Sequence, residues 1–326
     1  MSIRQLLMAR ARARPRRIAF PEGEDQQLVR AACRLAAEGI ARPVVLGREE
    51  QVRVLAGREW SEGVEIADPT DAETLARYSQ IYAARRQGVS EGIALRLVRR
   101  PLFFGAMMVA TGAADAMVAG LTRPTAQVVT AAALSVGYQE GISQASGFFL
   151  MVLPGPPEQV LVFADAAVAV DPSAAELAEI AVLTSRNTRT LLDIEPRVAL
   201  LSFSTHGSAS HPRVKKVREA LERVRELDPD LICDGELQAD AALSSRVAGK
   251  KCPDSPLGGE ANVLVFPDLD SGNIAYKLTQ YLAGAQAIGP IMQGFRKPVC
   301  DLSRGASVED IVDVAAIASL QVSEAV

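Results

Sequence analysis

Two histidines, four cysteines and a single tryptophan in 326 residues leave little material for several kinds of chemistry. Cys33, Cys233, Cys252 and Cys300 are far apart and form no C-x-x-C pair; with so few histidines, no zinc site is expected. Scattered thiols of this kind suit a reducing compartment, so the expected location is the cytoplasm. A net charge of −4 lacks the basic surplus that nucleic acid or an anionic membrane surface attracts. No run approaches the roughly 18–20 uninterrupted apolar residues of a membrane helix. Neither a Walker loop nor a G-x-G-x-x-G fingerprint is present, so nucleoside triphosphate and NAD chemistry lack their signal. Any anionic ligand must therefore be held by local arginines.

What the chain has instead is Ala, Val and Leu, with aromatics at only 5%. That composition suits helices packed on parallel strands buried on both faces. The length fits two domains of ordinary size. Strand-like and helix-like segments alternate: "RIAF", "RPVVLG", "AMVAGL", "RVALLSFST", "DLICDGEL" and "NVLVFPDL" stand between amphipathic stretches. "EGIALRLVRRPLFFGAMMVATG" reads as one helix, as does a segment near 238–248. The Arg-rich, acid-free opening "MSIRQLLMARARARPRR" has the flavour of a transit peptide, yet it runs straight into "RIAFPEGED" and reads as a first helix. Such alternation implies an α/β fold with mainly parallel sheets and ligands at strand C-terminal ends. The turn "YQEGISQ" suggests a domain boundary near residue 140.

Four strand-to-helix junctions offer backbone amides and positive helix ends to anions. "VAGLTRPTAQ" supplies Thr122, Arg123 and Thr125; "LSFSTHGSASHPRV" is a Ser/Gly-rich loop; "VFPDLDSGNIAYK" places Asn273 and Lys277 four apart on one helix face. "DLSRGASVEDIV" is the fourth, where Ser307 and Asp310 have capping-box spacing ahead of a broad apolar helix. Each junction also has an ordinary reading as a turn or cap. His206 and His211 lie in the second loop with no Ser–His–Asp arrangement visible in the sequence.

Residues 263–314 closely resemble the C-terminal signature of phosphate acetyltransferases, above all the run "NIAYK…AIGPI…GF.KPV.DLSRG". "PEGED", "RPLFFGAMMV", "ADAMVAG", "SGFFLM", "LSFSTHGSASHP" and "DGELQADAA" resemble the same family in order along the chain. The resemblance implies two three-layer α/β/α domains, 1–140 completed by 290–326 and 141–289, with an active-site cleft between them. It implies a homodimer and the reversible reaction acetyl-CoA + phosphate ⇌ acetyl phosphate + CoA. Coenzyme A is a substrate there, and no cofactor, nucleic acid or membrane partner is expected. Asp310 matches the family's general base, Ser303 and Arg304 the residues that stabilise the transition state and hold phosphate, and Arg85 a second anion-binding arginine, with Arg86 beside it. A thiol near pKa 8.5 needs help to become the attacking thiolate, which a carboxylate provides. A guanidinium, a hydroxyl and a helix N-terminus suit the developing negative charge.

The chain departs from the family at Gln27, Thr130 and Tyr281, where arginines are frequent. An arginine restored at position 130 is expected to lower KM for CoA or phosphate, unless Arg123 already compensates. Related readings are a phosphate propanoyl- or butyryltransferase and a non-catalytic acyl-CoA-sensing domain. An isocitrate-type dehydrogenase has support only at the level of fold.

Overall fold

The structure is a computed structural model and describes residues 2–322. In chain order the first part contains α1 (Ile3–Ala13), β1 (Arg17–Phe20), α2 (Gln26–Ala37), β2 (Arg42–Leu46), α3 (Glu49–Ala56), β3 (Glu65–Ala67), α4 (Ala72–Ala84), α5 (Glu91–Val98), α6 (Pro101–Thr111), β4 (Ala116–Ala119) and α7 (Thr125–Ser135). The middle contains β5 (Ser146–Leu153), β6 (Gln159–Ala164), α8 (Ala174–Leu192), β7 (Arg197–Leu201), α9 (Pro212–Leu227), β8 (Ile232–Leu237), α10 (Ala239–Leu243), α11 (Ser245–Lys251), β9 (Val263–Val265), α12 (Leu269–Leu282) and β10 (Gln286–Gln293). The chain closes with β11 (Val299–Asp301) and α13 (Val308–Gln321).

These elements form two compact units, one built from Ile3–Glu140 and residues 295–322, the other from Gly141–Gly294. In the first, five parallel strands run in the order β11-β4-β1-β2-β3. The three central strands, β4, β1 and β2, are near-continuous apolar runs, as expected for strands covered on both faces. Helix α13 packs against α1, α2 and β4, and its face from Ile311 to Ala318 is fully buried. Where the chain leaves and re-enters this unit, Tyr138 and Phe295 form a β-bridge and stack at 5.4 Å.

The second unit has six strands in the order β10-β5-β6-β9-β7-β8. β10, β5 and β6 pair antiparallel, while β6, β9, β7 and β8 pair parallel. Its core joins Phe149, Met151, Phe163, Leu237, Leu264 and Phe266.

Local chemistry accounts for the places where the sequence pattern misleads. The expected helix 91–112 is two helices, because Pro101 lacks an amide donor and forces Arg100 into extended backbone. The helix expected near 238–248 breaks at Ser244, which is also extended. β6 stops at Ala164, since the buried Asp165 carboxylate turns the chain by accepting amides from Gly147, Ala167, Val168 and Ala169. The re-entry point is Phe295 and not residue 290, because Gln286–Gln293 is a strand paired with β5. Its Gly289–Pro290 pair hides the strand from pattern reading, and the pairing register shifts between Ile288 and Ile291 to absorb the proline.

Candidate active site

In the first unit the C-terminal ends of the adjacent strands β11, β4 and β1 lead into three loops. Parallel strand ends of this kind are where α/β sheets bind ligands. The β11 loop, Leu302–Ser307, presents Ser303 and Arg304 exposed to solvent. A turn closed by the Ala306 amide on the Ser303 carbonyl at 2.9 Å shapes it. Asp310 follows in the first turn of α13 and is also exposed. Its Oδ2 accepts the Ser307 amide at 2.9 Å and the Ser307 hydroxyl at 2.8 Å, while Ser307 Oγ accepts the Asp310 amide at 3.2 Å. The capping box read from the sequence is therefore formed. Among the described residues Asp310 Oδ1 accepts no hydrogen bond, so the cap occupies one carboxylate oxygen and leaves the other to solvent or substrate.

Beneath this loop lie two buried carboxyl groups that sequence reasoning did not single out. Glu22, at the end of β1, is 1% exposed and accepts four hydrogen bonds: from the Gly120, Leu121 and Thr122 amides and from the Thr122 hydroxyl, all at 2.7–3.1 Å. Asp301, the last residue of β11, is 2% exposed and accepts the Thr125 hydroxyl through Oδ2 at 2.5 Å. Its Oδ1 is buried and has no hydrogen-bond partner among the described residues. Burial is the first cause that pushes the Asp301 carboxyl up to about 7; the Thr125 hydroxyl opposes this, the Glu22 charge adds to it and the Leu302 amide opposes it. Gly120 makes the arrangement possible. At φ +110° a Cβ there would lie 2.1 Å from Asp301 Oδ1.

The β4 loop thus spends its donors internally. Thr122 and Thr125, read as anion-binding candidates, hydrogen-bond to Glu22 and Asp301. Arg123 makes a 3.4 Å ion pair with Glu24 and, with Gln127 and Thr130, lines a cavity of about 550 Å³ walled by Phe103 and Leu102. A second cavity in this unit, of about 760 Å³, is lined by Tyr82, Arg85, Arg86, Ser135, Arg296 and Lys297. Arg86 donates to the Leu134 and Ala133 carbonyls at 2.9 and 3.3 Å and lies over the Tyr82 ring. Arg85, beside it at the end of α4, is exposed.

In the second unit Asn273 donates to the Ala166 carbonyl at 3.3 Å, and the Lys277 ammonium sits 4.9 Å from the centre of the Tyr276 ring. Tyr281 is 81% exposed on the same helix. The Ser/Gly-rich loop after β7 holds a pair that sequence alone did not reveal: His206 Nε2 lies 3.1 Å from the buried Asp234 Oδ2. This is not a nucleophile relay, since Ser204 donates to the buried Glu236 at 2.8 Å rather than to the histidine. His211 caps α9 by accepting the Arg213 amide. No cluster of three or more His, Cys, Asp or Glu suited to a metal occurs among the described residues. No helix in them is long and apolar enough to cross a membrane.

Residues 2–319 match the family model described as "Phosphate acetyl/butaryl transferase". A phosphate acetyltransferase of Thermoanaerobacterium thermosaccharolyticum is 45% identical over 98% of this chain and 99% of its own. Among solved structures, a phosphotransacetylase from Streptococcus pyogenes superposes with a TM-score of 0.90 at 42% identity, covering 99% of both chains. One from Staphylococcus aureus gives 0.91 at 37% identity, covering 98% of both. With its two α/β units, its three strand-end loops and these full-length likenesses, the chain belongs to the phosphate acetyl/butyryl transferase family.

Proposed function

We propose that this chain is a phosphate acetyltransferase, moving an acetyl group reversibly between coenzyme A and inorganic phosphate. The observation that carries this reading is the β11 loop: Ser303, Arg304 and Asp310 occupy one short, exposed segment at a strand C-terminal end and a helix N-terminus. The full-length likeness to proteins named phosphate acetyltransferase supports it.

With acetyl phosphate as donor, Asp310 Oδ1 takes the CoA thiol proton as the sulfur attacks the acetyl carbonyl. A C–S bond forms, the C–O bond to phosphate breaks, and phosphate leaves with the bonding pair. Arg304 and Ser303 stabilise the negative charge on the acetyl oxygen and on the departing phosphate. The two faces of Asp310 divide the work, one oxygen fixing the side chain through Ser307 and the other receiving the proton. Arg85, Arg123, Asn273 and Lys277 are the further contacts proposed for phosphate and CoA, and no cofactor takes part.

The protein acts as a homodimer in the cytoplasm. An apolar stripe on α12 supports the dimer: Ile274, Leu278, Tyr281 and Leu282 are each more than half exposed and recur at helical spacing.

Purified protein mixed with acetyl phosphate and CoA is expected to consume free thiol, and to release it in reverse only with phosphate present. Absence of thiol loss would overturn the assignment. Propionyl and butyryl phosphates run in parallel rank the acyl chain, and acetyl is expected to lead.

A further inference from the structure

Asp301 is a buried acid with no ion pair among the described residues. Of the arginines in the adjoining loops, Arg123 pairs with Glu24 and Arg304 is exposed to solvent. β4 brings only Ala, Met and Val, and α7 brings Thr125 with no titratable residue. The end of β1 brings Glu22, another carboxyl group. On α13, Glu309 and Asp310 are exposed, the first paired with Arg34, and Asp313 is paired with Arg4. An ionised Asp301 therefore has the Thr125 hydroxyl on Oδ2, only the Leu302 amide besides, no partner on Oδ1 among the described residues, and a neighbouring negative charge. A neutral carboxylic acid fits that setting; an anion does not.

The position of this group gives it leverage. It ends β11, Leu302 follows it and is tied by its amide to the Ala119 carbonyl of β4 at 2.8 Å, and Ser303 and Arg304 come next. We propose that Asp301 is a positioning residue of the transfer reaction, holding the Leu302–Ser307 loop against the sheet through Thr125 and releasing it when its carboxyl loses its proton. This rests on the reading of that loop as the acyl-transfer site. The neutral acid keeps the loop seated. The buried anion is relieved only by moving toward water, and Ser303 and Arg304 are carried with it.

The test is kcat between pH 6 and 8.5, in the direction acetyl phosphate plus CoA, for wild type, Asp301→Asn and Thr125→Val. Phosphate esters and the CoA thiol titrate in the same range, but the ratio of Asp301→Asn to wild type cancels them. Asparagine cannot ionise, so this ratio is expected to rise about 30-fold across the range for a midpoint near 7. Thr125→Val keeps the carboxyl and removes the donor that favours the anion, so the alkaline fall is expected to move to higher pH. A ratio constant within about twofold, or a Thr125→Val alkaline midpoint that stays where the wild type has it, would reduce Asp301 to a packing residue. Thermal melts show whether each variant is folded; should Asp301→Asn not fold, the midpoint in Thr125→Val decides. A wild type inactive at every pH overturns the loop assignment itself, an outcome distinct from an active enzyme with a flat ratio.

Discussion

Thr122 donates to Glu22 twice, through its amide at 2.8 Å and its hydroxyl at 2.7 Å, both onto Oε1. A loop that looked in sequence like a phosphate cradle is thus wrapped around an internal carboxylate. The Gly120 and Leu121 amides complete the set on Oε2. The physical consequence is rigidity: three successive amides at the end of β4 are aimed inward at a fixed anion instead of outward at a ligand.

Glu22→Gln should therefore destabilise the protein strongly. The amide keeps one acceptor oxygen but turns an NH₂ group toward amide donors, leaving at least one buried pair unsatisfied. A loss of about 3 kcal/mol is expected, read as a lower urea midpoint at unchanged slope. A stability change below about 0.5 kcal/mol would mean that the loop does not depend on this clamp.

Asp310 and Ser307 share a capping box but are expected to separate cleanly in experiment. Asp310→Asn retains an oxygen for the cap and loses the base, so kcat should fall by about 10²–10⁴ with the fold intact. Ser307→Ala removes the hydroxyl that caps α13 and should cost about 1 kcal/mol of stability with a smaller kinetic effect. Wild-type turnover in Asp310→Asn would leave this residue a cap and nothing more.

Arg85 and Arg86 are neighbours with opposite fates. The Arg86 guanidinium is committed to the carbonyls ending α7 and to the Tyr82 ring, whereas Arg85 is exposed at the end of α4. Arg86→Gln should cost about 1–2 kcal/mol of stability, seen in denaturant melts. Arg85→Gln should leave the melt in place and raise KM for phosphate or CoA. The reverse pattern would shift the anion-binding register by one residue.

The missing arginine at position 130 makes a gain-of-function prediction. Thr130 is exposed on α7, lines the cavity beside Arg123 and Gln127, and donates its hydroxyl only to the Ala126 carbonyl of its own helix. Thr130→Arg therefore breaks no tertiary contact and should lower KM for CoA or phosphate in initial-rate assays. An unchanged or raised KM would indicate that Arg123, despite its pairing with Glu24, already fills the role.

Most of the fold was legible because its strands are short apolar runs bounded by turn residues, and its helices carry Ser, Asp or Pro starts. "AMVA" and "RIAF" needed nothing more. The capping box at Ser307 was legible for the same reason, since its spacing is local. What stayed hidden was either a local conflict, such as the proline inside β10, or a partnership across the sheet. Nothing in "PEGED" or "DLSRG" says that Glu22 will meet residues 120–122, or that Asp301 will meet Thr125. Those contacts span about a hundred residues and more, and only strand order creates them. One signal was available: a carboxyl group directly at the end of an apolar strand is costly to bury unless donors await it.

The apolar stripe on α12 carries the last prediction. Leu282 and Tyr281 are 82% and 81% exposed, and only Gly272 of the fourteen-residue helix is buried. That glycine is itself packed so closely that a Cβ would lie 2.2 Å from the Asp165 carbonyl oxygen, so the helix is pressed onto its own unit at the start and bare further along. A lone helix face of this kind is unfavourable in water, since each large apolar side chain left exposed forgoes about 1.5–3 kcal/mol of burial. A second copy of the chain is the occupant that a two-fold assembly supplies. Wild type is expected to sediment as a dimer, and Leu278→Asp combined with Leu282→Asp should yield monomer in sedimentation velocity, with little loss of monomer stability because both side chains already face solvent. A wild type that is monomeric, or a double variant that remains dimeric, would place the interface elsewhere.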